Sequence, residues 1–82
     1  NPFNPRTTIS FQLNSEQFVT IEIYDVFGRK IKTLISDNMQ PGTHKLIWNG
    51  KDDRNQLVTS GTYLLKFSSP SQIIQRKMTL LK

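Results

Sequence analysis

Apolar and polar residues alternate along most of the chain, which is the pattern of β-strands with one face buried and one face in solvent. Turn-forming residues separate these alternating runs about every eight to twelve residues. No segment has the sustained 3.6-residue period of an amphipathic helix. The alternation predicts that these side chains face the core: Ile9, Phe11, Leu13, Val19, Ile21, Ile23, Leu46, Trp48, Tyr63, Leu65, Phe67, Ile74, Met78 and Leu80.

The pattern predicts an all-β fold, an immunoglobulin-like antiparallel β-sandwich of about seven strands. Gly28, in the run DVFG, can take the positive φ that a tight connection demands. In the run RKIKTLIS, Ile31 and Leu34 cannot share one face of a flat strand, so we expect a bulge or an early strand end there. The run LVTSG is predicted to be a short edge strand that ends at Gly61.

Two prolines stiffen the first residues of the chain. Pro2 and Pro5 fix their own φ and bias the residues before them toward extended geometry. We therefore assign residues 1–6 to a boundary clip or linker, with Asn4 and Pro5 as boundary residues, and residues 7–82 to the sandwich. The 82 residues suffice for one small domain. Because the chain starts without a methionine, we expect it to be a piece of a longer protein.

The chain is basic, with 11 lysines and arginines against 6 acidic residues and a formal net charge of +5. The cations are scattered apart from Arg29, Lys30 and Lys32, whereas nucleic-acid binding needs them on one face. We predict no nucleic-acid partner, and attraction to an anionic surface such as lipopolysaccharide is a weaker alternative. No run reaches the roughly 18 apolar residues of a membrane-spanning helix. Cysteine is absent, which excludes disulfides and cysteine–zinc sites.

Catalytic residue types are sparse and badly spaced in this sequence. His44 is the only histidine. In a strand its side chain lies on the same face as Leu46 and Trp48, so we interpret it as a packing residue. Asp52 and Asp53 are adjacent on one loop and are poorly placed to flank a scissile bond. No nucleophile-elbow motif is present. We therefore predict that the chain is not an enzyme and uses no cofactor.

The loop WNGKDDRNQ raises the question of calcium. Oxygen ligands of the kind that Ca²⁺ prefers fall within seven residues of it: Asn49, Asp52, Asp53 and Asn55. Their spacing is not that of an EF-hand, and Lys51 and Arg54 reduce the local negative charge. Aspartate and asparagine also form turns by bonding to their own backbone. We predict no metal site and keep calcium as a weak candidate.

Aromatic rings that lie exposed on a surface can stack on sugars. The alternation puts Trp48 and Tyr63 in the core, and it leaves Phe27, at the tip of a turn, as the most exposed aromatic residue. Core packing is the favoured interpretation of the first two rings. An accessory carbohydrate-binding module of a secreted hydrolase stays open as an alternative.

Four stretches together carry a family resemblance: NPFNPRTTISFQL, VTIEIYDVFGRKIKTL, PGTHKLIWNGKDDRNQLVTSGTYLLKF and RKMTLLK. The chain resembles the C-terminal sorting domain of proteins exported by the type IX secretion system. It is also similar to the immunoglobulin-like module of the flagellar hook-capping protein, a related pattern. The resemblance covers essentially the whole chain. The long segment WNGKDDRNQLVTSG is closer to the hook-capping module, so a structural assembly module stays open as an alternative function.

The sorting resemblance implies a secretion address. It implies an N-terminal passenger protein, recognition by the outer-membrane type IX secretion translocon and sortase, and then cleavage or surface attachment. The expected location is outside a Gram-negative bacterium or on its surface, reached through the periplasm. The residues that match the family motifs are expected to form the recognition surface: Gly28, Arg29, Gly61, Tyr63, Lys77, Met78, Thr79, Leu80, Leu81 and Lys82. A free sheet edge could also pair with a second copy to give a strand-mediated dimer.

Overall fold

The structure is a computed structural model that describes residues 6–81. The described chain contains strands and no helix, and no part of it is a helix that could span a membrane. The strands in chain order are β1 (Thr7–Leu13), β2 (Gln17–Asp25), β3 (Lys30–Met39), β4 (Gly42–Trp48), β5 (Gly61–Ser68) and β6 (Ile73–Leu80). Residues 1–5 of the predicted clip, which include its boundary residues Asn4 and Pro5, and the terminal Lys82 lie outside the described residues.

The strands form two antiparallel sheets that pack face to face. β1 pairs with β4 in a two-stranded sheet, and a four-stranded sheet has the order β3-β2-β5-β6. Phe11 of β1 packs edge-on against Phe67 of β5, and Trp48 of β4 packs edge-on against Tyr63 of β5, with ring centroids 5.5 and 5.2 Å apart. The small sheet therefore covers β5, and the predicted all-β sandwich is confirmed.

The core follows the alternation in the sequence. The inner faces of β2 and β5, together with one residue from each of β1, β4 and β6, supply the buried apolar side chains: Leu13, Val19, Ile21, Ile23, Trp48, Tyr63, Leu65, Phe67 and Leu80. The two central strands of the large sheet thus carry most of the core. Because apolar area removed from water is the main stabilising term in folding, β2 and β5 supply most of the hydrophobic stabilisation, and the other strands pack around them.

The bulge expected in RKIKTLIS is present, and there are two. Along the β2–β3 ladder Ile21 pairs with Ile35 but Glu22 pairs with Thr33, so Leu34 is skipped. A second shift skips Ile31. Each extra residue shifts the alternation of side chains between the two faces of the strand. Ile31 and Leu34 can therefore both pack against the core although they are three residues apart.

The predicted short strand LVTSG is wrong, which leaves six strands among the described residues. Leu57 makes one isolated bridge to Lys51, and the chain is irregular from there to Gly61. Asp52 accepts hydrogen bonds from the backbone N–H groups of Arg54 and Gln56, which folds the loop into a compact turn. These backbone N–H groups are bonded within the turn and are not available to extend the Lys51–Leu57 bridge into a strand pair.

The predicted core position Ile74 is also wrong in part. Ile74 pairs with the buried Phe67 and so lies on the inner face of the large sheet, yet 36% of its surface is exposed. β6 is the edge strand, and its first half lies beyond the cover that the small sheet gives. Only the last part of β6 reaches the core, where Leu80 is buried and Met78 half-buried.

Candidate recognition site at one end of the sandwich

The β2–β3 connection is a tight turn built around Asp25. The backbone N–H of Gly28 donates to the Asp25 carbonyl, and Asp25 N–H donates to the Arg29 carbonyl. Gly28 has a φ of 86°, in the left-handed region that a side chain would strain. The positive φ predicted for Gly28 is confirmed, and it allows the chain to reverse direction between β2 and β3.

The Asp25 carboxylate holds this turn together from inside. Its Oδ1 accepts hydrogen bonds from the N–H groups of Phe27 and Arg29, both at 2.9 Å, and its Oδ2 accepts from Arg29 Nε at 2.8 Å. Burial raises the pKa of Asp25, but the Arg29 and Phe27 donors and the Arg29 charge outweigh it and hold the pKa below its usual value. The carboxylate is therefore charged at neutral pH and serves the fold.

The turn presents an apolar tip with a cation beside it. Phe27 is 81% exposed, as predicted for the most exposed aromatic residue, and its neighbour Val26 is also exposed. The Arg29 guanidinium carbon lies 5.5 Å from the centre of the Phe27 ring, a cation–π distance. An exposed ring held by a cation and a rigid turn is a surface that can contact a partner without first being ordered.

The start of β5 lies beside this turn. Tyr63 pairs with Asp25 across the β2–β5 ladder, and its hydroxyl donates to the Thr59 carbonyl at 2.6 Å. This bond ties the irregular segment before β5 to the buried tyrosine, as a tyrosine corner does in immunoglobulin-like domains. Gly61, with a φ of 155°, lets the chain enter β5 from that segment.

A shallow cleft of about 440 Å³ separates the turn from the segment that leads into β5. Asp25, Phe27 and Arg29 line one side, and Gly61 and Tyr63 line the other. The four residues that matched family motifs in the turn and in β5 are thus neighbours in space. Sequence reasoning did not show why Asp25 matters, although an aspartate four residues before an arginine, across a glycine, is a signal of a side-chain-closed turn.

The predicted residues of the last strand complete the same end of the large sheet. Leu80 pairs with Gly61, Thr79 with Thr62, and Met78 with Tyr63. Leu80 and Met78 pack inward, whereas Lys77 and Thr79 lie on the opposite face and are exposed, as is Leu81 just beyond the strand. The predicted recognition residues that the structure describes therefore divide between core packing and surface.

Three of the four calcium candidates use a side-chain oxygen to accept backbone N–H groups of the loop or of β3. Asp52 Oδ1 accepts two backbone N–H groups, Asp53 Oδ1 accepts the Thr33 N–H at 3.2 Å, and Asn49 Oδ1 accepts the Lys51 N–H. Asn55 takes a φ of 64°, the left-handed conformation that asparagine tolerates in turns. No cluster of three or more histidine or acidic residues in the described chain could hold a metal. These side chains stabilise a turn.

The remaining candidates are packing residues. His44 stacks on Phe11 with centroids 5.4 Å apart, and its Nε2 lies 2.7 Å from the Gln40 carbonyl oxygen. Trp48 is fully buried, and its indole N–H donates to the Lys51 carbonyl. Trp48 offers no face to a sugar, so a carbohydrate platform would depend on Phe27, without a second exposed aromatic at this end among the described residues.

The fold and this end of the molecule define an immunoglobulin-like β-sandwich with a rigid exposed turn. The family model for the FlgD Ig-like domain matches residues 3–72, so the chain belongs to the FlgD Ig-like domain family. The solved structure of FlgD from P. aeruginosa is similar, with a TM-score of 0.68 and 21% identity over 93% of this chain. The chain spans 60% of that structure. No curated protein matches the sequence.

Proposed function

We propose that the chain is a non-catalytic assembly module, an immunoglobulin-like domain through which a longer protein binds protein partners. The observation that carries this proposal is the match of the FlgD Ig-like family model to residues 3–72. The sequence resemblance to the module of the flagellar hook-capping protein points the same way. The exposed turn around Phe27 supports it, because a rigid apolar tip loses little entropy when a partner covers it.

The assembly proposal is tested on the longer protein that carries this domain. The intact protein, a version without residues 1–82 and a Phe27→Ser variant are compared by light scattering and by chemical cross-linking. We expect a defined complex for the intact protein, loss of the complex without the domain, and weakening by Phe27→Ser. The same complex in all three proteins would remove the proposal.

A second candidate function is the type IX secretion address that the sequence resemblance implies. The observation that favours it is that β6 falls beyond residue 72, where the FlgD Ig-like match ends. In the sorting interpretation this last strand is part of what the outer-membrane translocon and sortase recognise. The neighbouring positions of Arg29, Gly61 and Tyr63 support a single recognition end.

The sorting candidate is tested by fusing residues 1–82 to a periplasm-directed fluorescent reporter in a host with working type IX secretion. Removing residues 77–82 would also remove Leu80 from the core, so surface variants give a cleaner answer. We expect export of the fusion, retention in the periplasm with Lys77→Glu, and normal export with the matched change Lys45→Glu on β4. A folded fusion that stays in the periplasm in every case would reject the sorting candidate and leave the assembly module.

A further inference from the structure

The two sheets part along one side of the sandwich, where β1 and β6 lie opposite each other without pairing. The gap is a groove of about 540 Å³, which we call the β1–β6 groove. Apolar side chains from the large sheet line it: Ile21, Leu65, Phe67, Ile74 and Met78. β1 lines the other side with the apolar side chains of Ile9 and Phe11 and with exposed polar residues, among them Thr8, Ser10 and Gln12. Ile21, Leu65 and Phe67 on the groove floor are themselves buried, so the apolar surface that the large sheet exposes along this edge comes from Ile74 and, in part, from Met78.

The backbone at this edge is free to pair. β6 bonds to β5 in unbroken register over its eight residues, and no strand within residues 6–81 pairs with its other side. An antiparallel edge strand presents alternate N–H and C=O groups outward, and these groups can bind an added strand. The β1–β6 groove thus offers a hydrogen-bonding edge directly above an apolar floor.

One cation lies where the core pattern calls for an apolar residue. Arg76 pairs with Leu65, whose side chain is buried, so Arg76 occupies the inner face of the sheet and lines the groove. Lys77, the next residue, borders the groove, although it lies on the opposite face of the sheet. No acidic side chain of the described residues lines the groove, and neither cation has an ion-pair partner in the described chain.

We propose that the β1–β6 groove binds an extended segment of a partner protein, which adds to the free edge of β6 and carries an acidic side chain between two apolar ones. Residues opposite each other on paired strands share a face. A carboxylate opposite Arg76 is then flanked by apolar side chains opposite Ile74 and Met78, all three pointing into the groove. The inference rests on the proposed function as a protein-binding module and names the chemistry of the partner.

A second copy of this chain does not fit that description. The free edges of the large sheet are β3, which carries Lys30 and Lys32, and β6 itself, with Arg76 and Lys77. Like charges opposite each other on paired strands destabilise the pair. The net charge of +5 adds a general repulsion between copies. The occupant is therefore an acidic segment from another protein.

The test uses residues 1–82 and synthetic peptides matched in length to β6. The probe is a capped peptide in which valine alternates with threonine and the central inward position is glutamate. The control peptide has lysine at that position. Fluorescence anisotropy at low and high salt measures both affinities. We expect the glutamate peptide to bind at least about tenfold more tightly than the lysine peptide, with weaker binding in high salt because the exposed charges are screened.

Charge reversal in the protein sharpens the result. Arg76→Glu should lose the glutamate peptide and gain the lysine peptide, whereas Lys45→Glu, on the outer face of β4, changes the net charge equally and should leave the preference intact. Circular dichroism checks that both variants are folded. N-methylation removes the N–H donors along one edge of an extended peptide. Of two glutamate peptides methylated along opposite edges, one should still bind and the other should not, because an added strand pairs with β6 through only one of its edges.

Two outcomes would overturn the inference. Equal binding of both peptides by the folded domain would show that Arg76 selects nothing. Dimerisation of an Arg76→Thr variant without peptide binding would show that this cation only keeps copies from pairing. Either outcome rejects the groove inference but leaves the assembly proposal standing if the longer protein still forms its complex. The opposite result, in which the domain binds the peptide but its removal leaves the complex of the longer protein unchanged, would reject the assembly proposal instead.

Discussion

The two edge strands of the large sheet differ in how far they are closed to pairing. β3 carries two bulges, and the loop after β4 covers part of its free edge: Asp53 N–H donates to the Ile31 carbonyl, and Asp53 Oδ1 accepts the Thr33 N–H. β6 is regular and unbulged, and no strand of the part of the chain that the structure describes covers its free edge. Bulges and covering loops are the devices by which sheet proteins prevent unwanted pairing. This chain applies them to one edge and leaves the other open.

The open edge also differs in how it is held. β3 packs several half-buried side chains against the core, including Ile31, Leu34 and Ile35. β6 reaches the core mainly through Leu80 and Met78 near its end, while its first half exposes Ile73 and Ile74. One edge is thus fixed along its length and the other mostly at one end.

The largest effect is expected where β6 is anchored. Leu80→Ala should lower the free energy of unfolding by about 2–4 kcal/mol, because it removes a buried leucine and leaves a cavity at a site that is 2% exposed. Ile74→Ala on the same strand should cost about 1 kcal/mol, since this side chain is already partly in water. Urea denaturation followed by Trp48 fluorescence measures both. Equal losses would mean that β6 is packed uniformly and that the groove is not open in solution.

The sequence predicted the buried central strands better than the partly exposed edge strand β6. Alternation located the inner faces of β2 and β5, because buried strands in a sandwich must be apolar at every second residue, as at Val19, Ile21 and Ile23. The same parity rule assigned Ile74 to the core. Parity tells which face a residue occupies, but it does not tell how far the opposite sheet extends to cover it.

The site was predictable only in part for a related reason. Gly28 could be chosen as a turn residue from its type and its place in the run DVFG, and its positive φ confirms this. The hydrogen bonds of Asp25 depend on the completed turn, and the position of Arg76 over the core depends on pairing between strands that are distant in sequence. Such features arise from the tertiary fold, which a local pattern does not contain.

The second largest effect concerns the turn where β3 begins. Asp25→Asn should destabilise the domain at neutral pH, because the charge that binds Arg29 Nε is lost. The pKa of Asp25 lies below its usual value in the folded state, so the unfolded chain takes up the proton first as pH falls. The stabilisation is complete above the unfolded pKa of about 3.9 and is lost as pH falls through the folded pKa.

The pH dependence distinguishes this role from simple packing. Urea midpoints of the parent chain and of Asp25→Asn should differ clearly at about pH 7 and converge only as the pH falls from the unfolded pKa of about 3.9 through the lower folded pKa of Asp25. Asp37→Asn, a change at an exposed acid on β3, is the matched control and should leave the pH profile nearly unchanged. A gap between parent and Asp25→Asn that is constant with pH would mean that the charge of Asp25 does not stabilise the turn.

The smallest effect should come from uncovering β3. Asp53→Ala removes the acceptor of the Thr33 N–H, an exposed bond whose loss should cost about 1 kcal/mol or less. Amide hydrogen exchange is the sharper measurement: Thr33 should exchange slowly in the parent chain and quickly in the variant, whereas the outward-facing amides of β6 should exchange quickly in both. Because the bulges at Ile31 and Leu34 remain, the variant should not pair with a second copy through β3. If it dimerised through β3, the Asp53 loop rather than the bulges would be what closes that edge.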